Sequence, residues 1–152
     1  MNWSDWQMST YAFTWIMENV PDDKIILEFG SGETTKYLSK KYNMYSVEED
    51  NRFVGLYDSN YIYAPIVNDW YDLESLKKGM PEKYDVIILD GPAHGKREGF
   101  LDNIGLFSLD KIIVVDDIDR EGDRAVWDKL VKMTKDQYDK KSVSVHNAGI
   151  IY

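Results

Sequence analysis

The chain contains no cysteine, which excludes disulfides, thiolate-bound zinc and a cysteine nucleophile. It is also poor in positive charge: 18 Lys and Arg stand against 27 Asp and Glu, for a net charge of -9. That balance argues against a nucleic-acid backbone as the main partner, because such affinity comes from basic side chains that displace counterions. The nearest basic run, Lys129 to Lys141, is interleaved with Asp136 and Asp139 and reads as a solvated helix face. Long apolar runs are missing too, so no membrane span is expected. The start, MNWSDWQMST, lacks the basic flank and apolar segment of a secretory signal, and the expected location is cytoplasmic.

What is present fits a soluble domain. Apolar residues make up 43% and charged residues 30% of 152 positions, enough for one core, so a single domain over 1–152 is expected with little room for a separate substrate domain. Eleven Tyr and five Trp are expected as core or as ligand-pocket walls.

One stretch organises the rest. Lys24 to Leu38 reads KIILEFGSGETTKYL: the apolar run Ile25-Ile26-Leu27 delivers Glu28, then a turn with Gly30 and Gly32, then a helix predicted over Thr34–Tyr42. Residues without Cβ turn tightly and let a ligand approach the backbone, while the free N–H groups of a new helix face the incoming group.

Upstream, Ser4 and Gln7 have capping-box spacing, and Trp6, Phe13, Ile16, Met17 and Val20 form an apolar stripe closed by Pro21, which predicts a helix covering one sheet face. Downstream, Met44–Glu48 is a second strand ending in Glu48, Glu49 and Asp50. A carboxylate 20 residues past Glu28 stands where doubly wound sheets hold the two ribose hydroxyls of an adenosine; a solvated turn is the plainer reading. Tyr61–Val67 is an edge strand interrupted by Pro65, leading to Asn68-Asp69-Trp70. Those groups suit an adenine edge and face, and Trp70 reads equally well as a packed ring.

Two buried strands follow. Tyr84–Asp90 exits through Gly91-Pro92 into Ala93-His94-Gly95-Lys96-Arg97, and Lys111–Asp116 exits into Asp117-Ile118-Asp119-Arg120. A helix over Asp123–Lys135 and a hairpin of Ser142–Val145 with Ile150–Tyr152 close the chain. The order predicts an α/β sheet, parallel apart from one terminal strand.

These residues resemble the class I S-adenosylmethionine-dependent methyltransferases. Glu28-Phe29-Gly30-Ser31-Gly32 matches the acidic residue and Gly-x-Gly after strand one, Glu48 the ribose-binding acid, and Asp85–Asp90 the fourth-strand motif. The resemblance implies a Rossmann-like sheet of seven strands in the order 3-2-1-4-5-7-6, the last pair an antiparallel hairpin. It also implies S-adenosylmethionine held by Glu28, Gly30, Ser31, Gly32, Glu48, Glu49, Asp69, Trp70 and Asp90. A dinucleotide fingerprint fits less well, because Thr35 stands where a third small residue is wanted.

The strand ends resemble the metal-dependent O-methyltransferases, such as the catechol and caffeoyl-CoA enzymes. That implies Mg²⁺ or another divalent cation on Asp90, Asp116 and Asp117, with Asp117 in place of the family's Asn. The family's catalytic Lys has Ala93 at its position, which leaves His94, Lys96 and Asp90 as candidates for proton removal. A fainter likeness is to glucuronoxylan methyltransferases, through Asp90-Gly91-Pro92 and Asp117-Ile118-Asp119-Arg120. The expected activity is therefore O-methylation of a small-molecule or saccharide hydroxyl. A cofactor-binding partner subunit without transfer activity and an NAD-linked oxidoreductase are the alternatives. A homo-oligomer that completes the pocket stays open.

Overall fold

The computed structural model describes residues 7–152. Trp3, Ser4 and Trp6 lie outside the described residues. Helix α1 runs Thr10–Asn19 and buries Ala12 and Ile16. Strand β1 (Ile25–Phe29), helix α2 (Glu33–Leu38) and strand β2 (Asn43–Glu48) follow. The predicted helix over Thr34–Tyr42 is thus cut to little more than one turn, with Leu38 at its end and Tyr42 beyond it folded into the core.

Pro65 breaks the third predicted strand rather than lying within it. Strand β3 is Asn60–Tyr63, and β4 (Ile66–Val67) turns away to pair with β5 (Trp70–Tyr71) as a separate antiparallel ribbon. The physical cause is the missing N–H of proline together with the left-handed backbone at Asn68 and Asp69, which closes a tight hairpin. Helix α3 (Leu73–Gly79) is capped by Asp72, whose Oδ2 accepts from the Ser75 N–H at 2.9 Å.

The second half holds β6 (Val86–Leu89), α4 (Glu98–Asp102), β7 (Ile112–Val115), α5 (Glu121–Tyr138), β8 (Ser142–Val145) and β9 (Ala148–Ile151). The sheet order is β3-β2-β1-β6-β7-β9-β8, with β9 antiparallel to both β7 and β8. Set the small ribbon aside and this is the order expected from the sequence, a Rossmann-like mixed sheet.

Alternate residues of the central strands enter opposite cores, as a period of two requires. Ile26, Ile88, Val114 and Ile150 pack beneath α1 with Ala12 and Ile16. Leu27, Ile87, Leu89, Ile113 and Val115 pack beneath α5 with Val126, Trp127 and Leu130. The chain winds outward from β1 toward β3 and from β6 toward β7. The crevice at the carboxyl ends of β1 and β6 is therefore the topological switch point, where open α/β sheets take ligands. Among the described residues no helix is long and apolar enough to cross a membrane.

Candidate active site

At the switch point the two strand ends touch through glycines. Gly30 has φ +87°, and a Cβ on it would come within 3.0 Å of the Gly91 nitrogen; a Cβ on Gly91 would run into the Tyr71 hydroxyl. Both the left-handed backbone and the close approach therefore require glycine at Gly30. Glu28, one residue before the turn, is buried: its Oε2 accepts from Thr35 Oγ1 at 2.8 Å and Ser46 Oγ at 2.7 Å. Thr35 Oγ1 in turn accepts from the Gly32 N–H at 3.1 Å, so Thr35 joins the glycine turn to Glu28. Burial outweighs these bonds and raises the Glu28 carboxyl to about 7.

Glu48, at the tip of β2, reaches this turn. Its Oε2 accepts from Ser31 N–H at 3.2 Å and Ser31 Oγ at 2.6 Å, while Oε1 accepts from the Asp50 N–H. Nearby, burial raises the Tyr61 hydroxyl, which lies beside Ser31 in the field of Glu28 and Glu48. Glu49 points elsewhere. It crosses to the loop after β6, accepting from Ala93 N–H and His94 N–H at 3.0 Å each and meeting His94 Nδ1 at 2.5 Å. Because β1 lies between β2 and β6, this contact spans the glycine corner.

The remaining predicted residues divide. Asp90, Asp116 and Asp117 come together, one carboxylate oxygen from each lying within 4.8 Å of the others. Burial, then the neighbouring Asp116, pushes the Asp90 carboxyl well above its usual range; burial, then Asp117, raises Asp116 to about 6. Asp116 Oδ2 accepts from the Ser9 N–H at 3.1 Å, yet its Oδ1 is buried without a partner. Asp117 occupies a left-handed backbone position, φ 55°.

His94 and Lys96 are not at that cluster's side of the corner. His94 is exposed and tied to Glu49, and Lys96 Nζ lies 3.0 Å from Asp69 Oδ2 on the β4–β5 ribbon. Asp69 is itself solvent-facing. Trp70, expected at an adenine face, is 3% exposed and packs in the core against Phe29, Tyr71 and Phe100, with Gly99 leaving room for its ring. The hairpin at Asn68-Asp69 turns the indole inward, so this residue serves packing.

Sequence reasoning gave little weight to Arg97 and none to Thr35, Ser46 or Tyr61. Arg97 is buried among the acids. Its Nη2 lies 3.2 Å from Asp117 Oδ2 and 3.9 Å from Asp90 Oδ1, its Nη1 lies 3.7 Å from Asp123 Oδ2, and Nη1 donates to the Asp116 carbonyl. The available signal was an Arg seven residues past the Asp90 strand end, ahead of a second acid-rich strand end.

No protein-family profile and no curated protein matches the sequence. Solved structures do. A provisional O-methyltransferase from Klebsiella pneumoniae superposes with TM-score 0.67 at 13% identity, over 98% of this chain and 82% of that one. An O-methyltransferase from Bacillus cereus, in complex with S-adenosylhomocysteine, gives 0.64 at 14% identity over 97% and 82%. MycE, from the mycinamycin biosynthetic pathway and in complex with Mg and S-adenosylhomocysteine, gives 0.56 at 16% identity over 94% and 46%. The chain has the fold of the class I S-adenosylmethionine-dependent methyltransferases.

Proposed function

We propose that the chain transfers a methyl group from S-adenosylmethionine to a hydroxyl oxygen of a small molecule or saccharide. The observation that carries this is the β1 corner: a glycine-to-glycine contact at the switch point, beside a strand-end carboxylate that gathers two donors on one oxygen. Ser31 N–H and Oγ occupy Glu48 as two sugar hydroxyls would. These features fit an adenosyl group. Structures of this fold that hold S-adenosylhomocysteine support the reading.

S-adenosylmethionine, when bound, supplies an electrophilic methyl carbon and a sulfide leaving group. The chain's own residues align and deprotonate. Gly30, Ser31 and Gly32 set the backbone against the cofactor, and Glu48 fixes the sugar. Asp90 ends the central strand beside Gly91, between this corner and the acid cluster, and is the proton acceptor in this reading; His94 and Lys96 would first have to leave Glu49 and Asp69. Asp90, Asp116 and Asp117 would hold a divalent cation, whose Lewis acidity eases loss of the acceptor's proton. The unpartnered Asp116 Oδ1 is the observation that fits such an ion.

A groove of about 360 Å³ runs between Met8, Ser9 and Tyr11 on one side and His146 and Asn147 on the other. Ser9 is bonded to Asp116, so the groove adjoins the acid cluster and offers an acceptor its approach. Incubation with methyl-labelled S-adenosylmethionine and a panel of hydroxyl-bearing small molecules and saccharides tests the proposal. Transfer to a hydroxyl supports it; cofactor binding with no label on any acceptor supports a non-catalytic subunit instead. Full transfer in EDTA rejects the cation.

A further inference from the structure

We infer that Arg97 is the charge-setting residue of the acid cluster: its guanidinium offsets Asp117, so that the cluster keeps two negative charges, the number that one divalent cation neutralises. This rests on the cation reading above. Arg97 cannot shed its proton, and its side chain is 4% exposed, so its charge is a fixed feature of the interior. Such a group left unpaired costs several kcal/mol, so acids must surround it. They do: Asp117, Asp123 and Asp90 lie at 3.2, 3.7 and 3.9 Å.

Arg97 makes these contacts without taking the Asp116 carboxylate. It uses that residue's main-chain carbonyl instead, and Asp116 Oδ1 stays unpartnered. Arg120 adds a second guanidinium, 3.0 Å from Asp117 Oδ2, but it is 66% exposed and solvent weakens its field. Of the three charges on Asp90, Asp116 and Asp117, Arg97 offsets one, and two negative charges remain.

The test is a double-mutant cycle on the whole chain at pH 8, read by Mn²⁺ calorimetry and by thermal unfolding without metal. Arg97→Met should tighten Mn²⁺ binding by about tenfold or more, and Asp117→Asn should weaken it by a similar factor. The double variant should return to within about threefold of wild type, and Arg97→Lys, which keeps the charge, should stay within the same range. Unfolding should follow suit: Arg97→Met lowers the midpoint, and adding Asp117→Asn restores part of the loss. A double variant whose Mn²⁺ affinity does not return toward wild type overturns the inference, as do additive effects in the unfolding cycle or an unchanged Mn²⁺ affinity in Arg97→Met. If no variant binds Mn²⁺, the cation reading falls by itself, and the unfolding cycle still decides whether Arg97 balances Asp117. Should Arg97→Met not fold, Arg97→Lys decides: a tenfold change in Mn²⁺ affinity with the charge retained overturns it.

Discussion

Two groups of carboxylates sit a few residues apart at the carboxyl edge of one sheet, and they are treated differently. At the β1–β2 corner each acid is met by donors: Glu28 by Thr35 and Ser46, Glu48 by Ser31, Glu49 by the Ala93 and His94 amides. At the β6–β7 edge the acids face one another, with a single buried guanidinium among them and one oxygen unpartnered. The first group is wired into the fold, and in the proposed reading it shapes a place for a neutral, hydroxyl-rich group. The second is left short of positive charge. Donor supply, rather than residue type, separates the two groups of carboxylates.

The sharpest way to break the first region is Gly30→Val. A Cβ at φ +87° meets the Gly91 backbone, so the variant should lose roughly 3–5 kcal/mol of stability and all S-adenosylhomocysteine binding, measured by urea unfolding and calorimetry. Next is Glu28→Gln. A carboxyl raised from 4.5 to about 7 means that the folded chain holds a proton the unfolded chain has released, so stability falls as pH rises through that window. Wild type should lose on the order of 3 kcal/mol to this group between pH 4.5 and 8, and Glu28→Gln should abolish that part of the slope in unfolding midpoints.

Asp90 and Glu49 should respond oppositely to loss of their carboxylates. Asp90→Asn relieves repulsion and should raise unfolding stability at pH 8 by about 1–3 kcal/mol while abolishing Mn²⁺ binding. Glu49→Ala, which strips two amides of their acceptor, should cost about 1–2 kcal/mol and speed hydrogen exchange at Ala93 and His94. The smallest effect belongs to His94→Ala: the ring is 83% exposed, and the midpoint should not move measurably. A large loss there would show that the Glu49 bridge depends on the imidazole.

Much of this edge was legible in the chain. Near-continuous apolar runs such as Val86–Leu89 and Ile112–Val115 announce strands buried on both faces, and strands followed by helices force the winding that brings their acidic tips together. Gly30 and Glu48 stood out because each stands at a strand end, although their partners in space, Gly91 and Ser31, lie far from them along the chain. Trp70 was not, since its direction depends on a two-residue hairpin closed by left-handed Asn68 and Asp69. Pairing of Arg97 with the strand-end acids was one of two readings open in the sequence; its burial was not readable, because its partners follow β7 and sit on α5, and only the sheet brings those acids to it. The locations of His94 and Lys96 likewise follow from acids on other elements, Glu49 and Asp69.

The central claim is that the β1 corner, with Glu48 beside it, receives an adenosyl cofactor. Calorimetric titration of the folded chain with S-adenosylhomocysteine tests it most directly. Saturable binding at one site per chain, strongly weakened in Glu48→Ala, is the predicted result; no heat of binding from folded wild-type protein would contradict the account.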